Sequence, residues 1–119
     1  MKYLTIIGCW AVTSLGSQTA FAQSQPELTD QARADFSEAD KELNRVYQQL
    51  LSKIDKESQE KLKIAQRNWV AFRDSQADLI ADFEARGGSM RPMIYAAERA
   101  TITEARTEDL KKILKASGQ

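Results

Sequence analysis

The chain has 119 residues, of which 42% are hydrophobic and 29% charged, and its 17 basic residues equal its 17 acidic residues. This length suits one small domain, and the balanced charge gives no basic field that would favour nucleic acid or an anionic membrane as a partner. With no histidine and a single cysteine, the sequence excludes a Ser-His pair and a histidine-based zinc site.

The first 22 residues have the pattern of an export signal. Lys2 precedes an apolar run from residue 3 to about residue 15, and Ala20-Phe21-Ala22 supplies the small residues that a signal peptidase requires. We therefore predict a signal peptide at residues 1–22, cleavage before Gln23, and a mature chain, 23–119, in the periplasm or secreted. The apolar run is too short for a permanent membrane span.

Cys9 offers an alternative, because residues 6–9 have the residue types of a bacterial lipoprotein box. The apolar run continues beyond Cys9 through residues 10–12, which favours cleavage after Ala22 instead. Cleavage there leaves a mature chain without cysteine, so that packing alone must stabilise it.

Apolar residues recur every three or four positions over residues 28–54, which predicts a first amphipathic helix. Its expected core positions are Phe36, Ala39, Leu43, Val46, Leu50 and Ile54. Ser24 and Glu27 form a capping-box pattern, although a start at residues 29–30 fits equally well. The polar residues 55–58 predict a turn to an antiparallel neighbour, with one longer helix as the alternative.

A second helix of roughly seven turns follows, and we predict that it is the central element of the fold. Its apolar stripe consists of Leu62, Ala65, Trp69, Phe72, Leu79 or Ile80, and Phe83. Trp69 and Phe72 are the largest of these, and we expect each to stabilise the contact with the first helix by about 2–3 kcal/mol. The glycine pair at residues 87–88 predicts the end of this helix.

Residues 86–92 form the clearest predicted loop, and Ser89 is expected to cap a third helix that begins near Pro92. Expected core positions of that helix are Met93, Ile94, Ala97, Ile102, Ala105, Leu110, Ile113 and Leu114. Residues 101–104 have a second capping-box pattern, with β-branched Thr101 and Thr103, which indicates a kink or a restart. Without any strand-like alternation, the sequence predicts an all-α fold, a small antiparallel bundle or hairpin of three long helices.

Polar residues lie on or beside the first two apolar stripes. They are Asp40, Asn44 and Tyr47 in the first helix, and Gln66, Arg73 and Asp74 in the second. We interpret them as a buried polar network that fixes the helix register, in which Arg73 reaches Asp40 or Asn44. A ligand or partner surface is the alternative.

Asp74, Asp78 and Asp82 follow one another at steps of four, a pattern typical of a solvated helix face. Arg67 or Arg73 could offset the repulsion between them. No acid is placed in an apolar pocket as a glycosidase requires, and helical acids lack the loop carbonyls that calcium takes. We therefore predict no catalytic residue, no metal site and no cofactor.

Four separated blocks of sequence resemble a known family. They contain Asp40, Leu43, Asn44 and Tyr47; Leu62, Gln66, Trp69, Arg73 and Asp74; Gly87, Gly88 and Ser89; and Thr103, Arg106 and Leu110. In this order they resemble the N-terminal domain of the LprI-type lysozyme inhibitors over nearly all of residues 23–119. The resemblance implies an exported helical protein, and lysozyme inhibition is the property of the member that names the family. Members usually carry paired cysteines, whereas Gln31, Ala77 and Glu98 occupy the expected positions here.

An inhibitor of a cationic lysozyme needs an acidic face for encounter and a protruding element that fills the substrate groove. Residues 27–42 contain six acids against two bases, and residues 74–84 contain four more acids. The 86–92 loop is the candidate protrusion, in which an arginine faces the catalytic carboxylates of lysozyme and a serine donates a hydrogen bond. The predicted partner-binding residues are Arg86, Gly87, Gly88, Ser89 and Arg91. The alternative is a simple interhelical connection whose glycines permit positive φ.

A second functional class is a non-inhibitory binding or scaffolding module in the periplasm, whose stripes bind another helix or a second copy of the chain. An enzyme is the third class, because the remaining carboxylate, lysine, tyrosine, serine and threonine side chains form no recognised catalytic arrangement. We expect a protein partner, with a lysozyme as the first candidate, and no enzymatic activity.

Overall fold

The computed structural model describes residues 24–119, so the predicted signal peptide and Cys9 lie outside the described residues. This part of the chain forms three long helices and no strand: α1 (Gln25–Lys53), α2 (Lys56–Ala85) and α3 (Arg91–Ser117). The predicted all-α bundle of three long helices is confirmed. Over the same range, no helix combines the length and the hydrophobicity that crossing a membrane requires.

Side-chain caps fix where α1 and α2 begin. Ser24 Oγ accepts a hydrogen bond from the Glu27 amide at 3.4 Å, and Glu27 Oε2 accepts one from the Ser24 amide at 3.3 Å. Of the two predicted starts of α1, the earlier one is therefore correct. Asp55 Oδ1 accepts a hydrogen bond from the Ser58 amide at 2.8 Å and caps α2, so the chain breaks at residues 54–55 and does not continue as one helix.

The connection between α2 and α3 spans residues 86–90. Gly87 has a φ of 71°, in the left-handed region that favours glycine, as the glycine pair predicts. The prediction that Ser89 caps α3 is wrong, because Met90 occupies the cap position and makes no side-chain capping hydrogen bond. The third helix then runs uninterrupted through residues 101–103, so the predicted restart does not occur. The Thr101 and Thr107 hydroxyls donate to the Ala97 and Thr103 carbonyls one turn earlier, within the same helix.

The third helix packs against both of the others, whereas the backbones of α1 and α2 make few contacts with each other. It is antiparallel to α2, since Asp82 bonds to Arg91 near the connection while Gln66 bonds to Arg106 farther along. It is parallel to α1, since residues 35–42 lie beside residues 97–104, and the end of α1 lies beside the end of α3. The central element is therefore α3, and the prediction that α2 is central is wrong.

The hydrophobic core lies toward the end of the bundle where α1 turns into α2. Its buried members are Leu43, Val46, Leu50, Leu62 and Leu110, and the side chains of Tyr47, Leu51, Ile54, Trp69 and Leu114 pack against them. The predicted core face of α1 is confirmed, with Phe36 and Ile54 half-buried at its edges. Farther from the turn, the buried positions are mainly alanines, which let helix axes approach closely.

The predicted apolar face of α2 is wrong beyond Leu62 and Trp69. Phe72, Leu79 and Phe83 are 56%, 62% and 89% exposed. The buried residues of α2 are Leu62, Arg73, Ala77 and Ala81. Toward the end of α2, small side chains face its neighbours because they allow close approach, and Phe72, Leu79 and Phe83 consequently face outward. Ile80, the predicted alternative to Leu79, is half-buried.

The predicted core face of α3 is shifted in the same way. Its buried residues are Ala96, Ala100, Thr103, Thr107 and Leu110, whereas Ala97, Ala105 and Ile113 are exposed. The face that packs on both α1 and α2 is therefore made of small and β-branched side chains, and Leu110 is the one large buried side chain on it.

We expect Leu110→Ala to lower the free energy of unfolding by about 3 kcal/mol, because Leu110 is fully buried and its truncation leaves a cavity in the core. Ile113→Ala, one turn away on the same helix but 47% exposed, is the matched control and should cost less than about 1 kcal/mol. Urea unfolding followed by circular dichroism measures both. Equal losses would contradict the central position of α3.

Candidate functional site

An open groove of about 590 Å³ lies between α1 and α2. It is lined by Asp40, Leu43, Asn44, Tyr47, Lys63, Gln66, Arg67, Trp69, Val70 and Arg73. Its volume lies in the range of small-molecule sites, about 300–1,000 Å³. Seven of its lining residues are motif residues that the sequence singles out, so the fold brings two separate sequence blocks to one place.

The α1 wall of the groove consists of side chains one helix turn apart. Asn44 is exposed, and its Nδ2 donates to Asp40 Oδ2 at 3.4 Å. Asp40 and Tyr47 are half-buried, and Leu43 is buried beneath them. Asp40, Asn44 and Tyr47 share one face of α1, as predicted. The predicted burial of this polar network is wrong for Asn44, which is exposed. The alternative of an accessible polar surface describes this wall better.

Arg73 forms the base of the groove, and its side chain is only 7% exposed. Its guanidinium carbon lies 5.1 Å from the ring centroid of Phe36 and 5.2 Å from that of Trp69. Its Nε donates to Asp74 Oδ1 at 2.9 Å, and its Nη1 lies 3.8 Å from Asp40 Oδ1. The predicted contact with Asp40 therefore exists as an ion pair, and two carboxylates with two aromatic rings compensate the burial of the cation.

Asp74 connects this arginine to the third helix. Its Oδ1 also accepts a hydrogen bond from Arg99 Nε at 3.1 Å, and the Arg99 guanidinium lies 4.0 Å from the Phe36 ring centroid. Partial burial acts to raise the pKa of Asp74, but the hydrogen bonds and charges of Arg73 and Arg99 outweigh it and hold that pKa below its usual value of 3.8. The cluster therefore ties all three helices together.

Two motif residues lie on α3. Arg106 Nε donates to Gln66 Oε1 at 3.2 Å, and its guanidinium lies 6.0 Å from the Trp69 ring centroid. Arg106 therefore supports the α2 wall of the groove from behind. Thr103 is fully buried in α3 and is not among the residues that line the groove.

The predicted partner loop lies at the opposite end of the bundle from the turn between α1 and α2. Residues 86–90 are exposed, and the Arg86 side chain is 81% exposed although its Nη2 lies 3.1 Å from Asp82 Oδ2. Arg91 is held more closely, because its Nε donates to Asp82 Oδ1 at 3.0 Å and its Nη2 pairs with Asp78. Arg86 thus projects to the surface, whereas Arg91 binds the start of α3 to α2.

The ion pairs of Arg86 and Arg91 change the interpretation of the three aspartates spaced four residues apart on α2. Asp74 and Asp82 are half-buried and paired, so the prediction of a solvated face holds only for the exposed Asp78. The hydrogen bond from Arg91, together with Arg86, holds the pKa of Asp82 below its usual value of 3.8. The compensating cations come mainly from the loop and α3, which sequence spacing along a single helix could not indicate.

Within residues 24–119, no group of three or more acidic, cysteine or histidine side chains is arranged to hold a metal ion.

Comparison with known proteins places this architecture in context. Residues 17–110 match the family model described as "Lysozyme inhibitor LprI". An uncharacterized protein of Rhizobium meliloti (strain 1021) is 39% identical over 109 aligned residues, which cover 81% of this chain and 78% of that protein. No solved structure matches the chain significantly.

We expect Asp74→Asn to lower the free energy of unfolding at neutral pH by about 1 kcal/mol, because it weakens the charge-assisted hydrogen bonds to Arg73 and Arg99. The loss of stability is smaller than for a fully buried ion pair, because the Asp74 side chain is 40% exposed. A carboxylate with a depressed folded-state pKa stabilises the fold above its unfolded pKa and loses that contribution as the pH falls through the folded pKa. The difference between wild type and variant should therefore shrink as the pH falls below 3.8.

Urea titrations at neutral and acidic pH measure this difference. Asp109→Asn is the matched control, since its carboxylate is 60% exposed and lies 3.7 Å from Lys112 on the surface of α3. The control should change little at either pH. A loss for Asp74→Asn that persists undiminished in acid would show that the carboxylate charge is not what holds the cluster.

Proposed function

The chain belongs to the LprI lysozyme inhibitor family, and from this premise we propose that it is exported and inhibits a lysozyme by binding to it. Export follows from the predicted signal peptide with cleavage before Gln23. The proposed action is binding and not turnover, since the full sequence contains no histidine and the family is one of inhibitors. The observation that carries the proposal is the exposed loop at residues 86–90, which ends the bundle with a projecting arginine.

The loop has the features of an element that enters a cleft. Gly87 allows a tight reversal at positive φ, and the absence of bulky side chains at residues 87–88 keeps the tip narrow. In the proposed complex, the Arg86 guanidinium lies against the catalytic carboxylates of the lysozyme, and the Ser89 hydroxyl donates a hydrogen bond. Arg91 acts as a positioning residue, because its ion pairs with α2 fix the direction in which the chain leaves the loop.

The acidic segment of α1 supports the same orientation. Because α1 and α3 are parallel, residues 27–42 lie in the half of the bundle that carries the loop. Glu27, Asp30, Asp35 and Glu38 are all exposed there. A cationic lysozyme would be attracted to this end of the molecule, which brings the loop toward the cleft and raises the association rate.

We expect the protein at micromolar concentration to protect bacterial cell walls from at least one lysozyme type, and Arg86→Ala to weaken that inhibition about tenfold or more. Lys112→Ala is the control, because this cation is similarly exposed in a surface pair but lies near the far end of α3. A turbidity assay of cell-wall lysis gives both results. No protection against several lysozyme types would end the inhibitor proposal, and full potency in Arg86→Ala would remove the loop from it.

The outward face of α2 favours the alternative of a non-inhibitory binding or scaffolding module. Phe72, Leu79 and Phe83 are exposed and fall within one 40° sector of the helix at about 100° per residue, which is unusual for side chains of this size. In this alternative the stripe binds another helix or a second copy of the chain, and the family resemblance carries no inhibitory activity.

If the stripe binds a second copy of the chain, light scattering of the wild-type protein should show a mass above that of one chain. The double variant with Phe72→Ser and Phe83→Ser should instead have the mass of one chain. Both side chains are exposed, so the variant should keep the wild-type helical content and stability to within about 1 kcal/mol. Ile113→Ser, exposed on α3, is the control and should leave the mass unchanged. A wild-type protein that is monomeric at all concentrations would contradict self-association through this stripe.

A further inference from the structure

Two arginines stand apart from the others in the described part of the chain, because no carboxylate oxygen lies within 4.0 Å of their guanidinium groups. They are Arg67 and Arg106. Each of the other six arginines of residues 24–119 is paired with at least one acid. Both unpaired arginines lie at the α2 wall of the groove between α1 and α2: Arg67 lines it, and Arg106, which lies behind it on α3, bonds to the lining residue Gln66.

The groove itself does not neutralise these charges. Asp40 is the one acid among its lining residues, and it already lies 3.8 Å from Arg73. Lys63 lines the same wall and shares its charge with Glu60 at the surface, 3.2 Å away. The α2 side of the open groove therefore keeps an excess of positive charge, which attracts an anion.

The rest of the lining is suited to an apolar body. The half-buried Trp69 and Val70 supply hydrophobic surface, and the Asn44 and Gln66 amides offer hydrogen bonds beside it. Sites for small organic ligands likewise combine apolar surface with convergent polar groups. A guanidinium fork binds carboxylate and phosphate alike, but the nearby Asp40 carboxylate disfavours a doubly charged group, so a monoanion fits better.

We propose that the groove between α1 and α2 binds a small carboxylate ligand, about the size of a dipeptide or tripeptide, whose carboxylate pairs with Arg67 and whose apolar body lies on Trp69 and Val70. This site is separate from the loop at residues 86–90 and does not depend on lysozyme inhibition. The two proposals therefore succeed or fail independently.

Isothermal titration of the full chain with N-acetyl-leucyl-phenylalanine and with its C-terminal amide tests the proposal, because the two probes differ only in the charged group. We expect the acid to bind about tenfold more tightly than the amide, and Arg67→Gln to reduce the affinity for the acid to that for the amide. Arg33→Gln is the matched control, since Arg33 is exposed on α1 in a surface pair with Asp30 and does not line the groove. It should leave the affinity unchanged.

A second measurement locates the ligand. The indole N–H resonance of Trp69 should shift on addition of the acid. Trp10 lies in the predicted signal peptide, so Trp69 gives the one indole signal of the processed chain, residues 23–119. Any one of four results would overturn the proposal. These are equal affinities for acid and amide, no binding of either at millimolar concentration, an Arg67→Gln variant with unchanged affinity, and binding without a shift of the Trp69 signal. Arg67 is exposed, and circular dichroism of Arg67→Gln should match the wild type.

Discussion

The burial of Arg73 is the constraint on which this bundle depends. A guanidinium removed from water must be surrounded by groups that replace its hydration, and those groups come from every helix. Phe36 and Asp40 belong to α1, Trp69 and Asp74 to α2, and Arg99 on α3 shares both the Asp74 carboxylate and the Phe36 ring. A shift of any helix along its axis would break several of these contacts at once, so the cluster sets the relative heights of the three helices.

The same arrangement explains why the molecule has a groove. Small side chains bring α3 close to both neighbours, and α1 and α2 are left with few backbone contacts. The space between them is closed at the base by Arg73 and is open above it. The residues that line the groove therefore include Arg73 and Asp40, which also hold the helices together. The projecting loop occupies the other end of α2, so the protein presents two separate surfaces.

Much of the fold could be predicted from local sequence signals. The capping box at Ser24, the polar residues 55–58 and the glycines at 87–88 place the helix boundaries, because each is decided by neighbouring residues. The face of α1 was also predictable, since its large apolar side chains are the buried ones. The face of α2 was not predictable beyond Leu62, because its other buried residues are an arginine and two alanines, and a pattern of large hydrophobic residues gives them no weight.

The candidate site could be predicted only in part. The motif residues of the first two helices were identified, and the Arg73 to Asp40 contact was among the expected ones. Their assembly into a groove depends on α3 as a spacer, and its packing surface of alanines and threonines carries no strong periodic signal in hydrophobicity. A search for alanines four residues apart, as at 77 and 81 or at 96 and 100, would have indicated the close helix contacts. Two of the arginines that stabilise the acids of α2, Arg91 and Arg99, lie on α3, so no spacing rule within α2 could identify them.

The parallel packing of α1 on α3 has a consequence for how the protein folds. The most extensive contacts join segments that are about 60 residues apart, while the sequential pair α1 and α2 contributes few of its own. A hairpin of α1 and α2 alone thus forms few backbone contacts to offset the entropy of closing its loop. We expect the rate-limiting step of folding to require α3, in the C-terminal third of the chain. We therefore expect the chain to acquire its tertiary structure cooperatively, and only after its last helix has been synthesised.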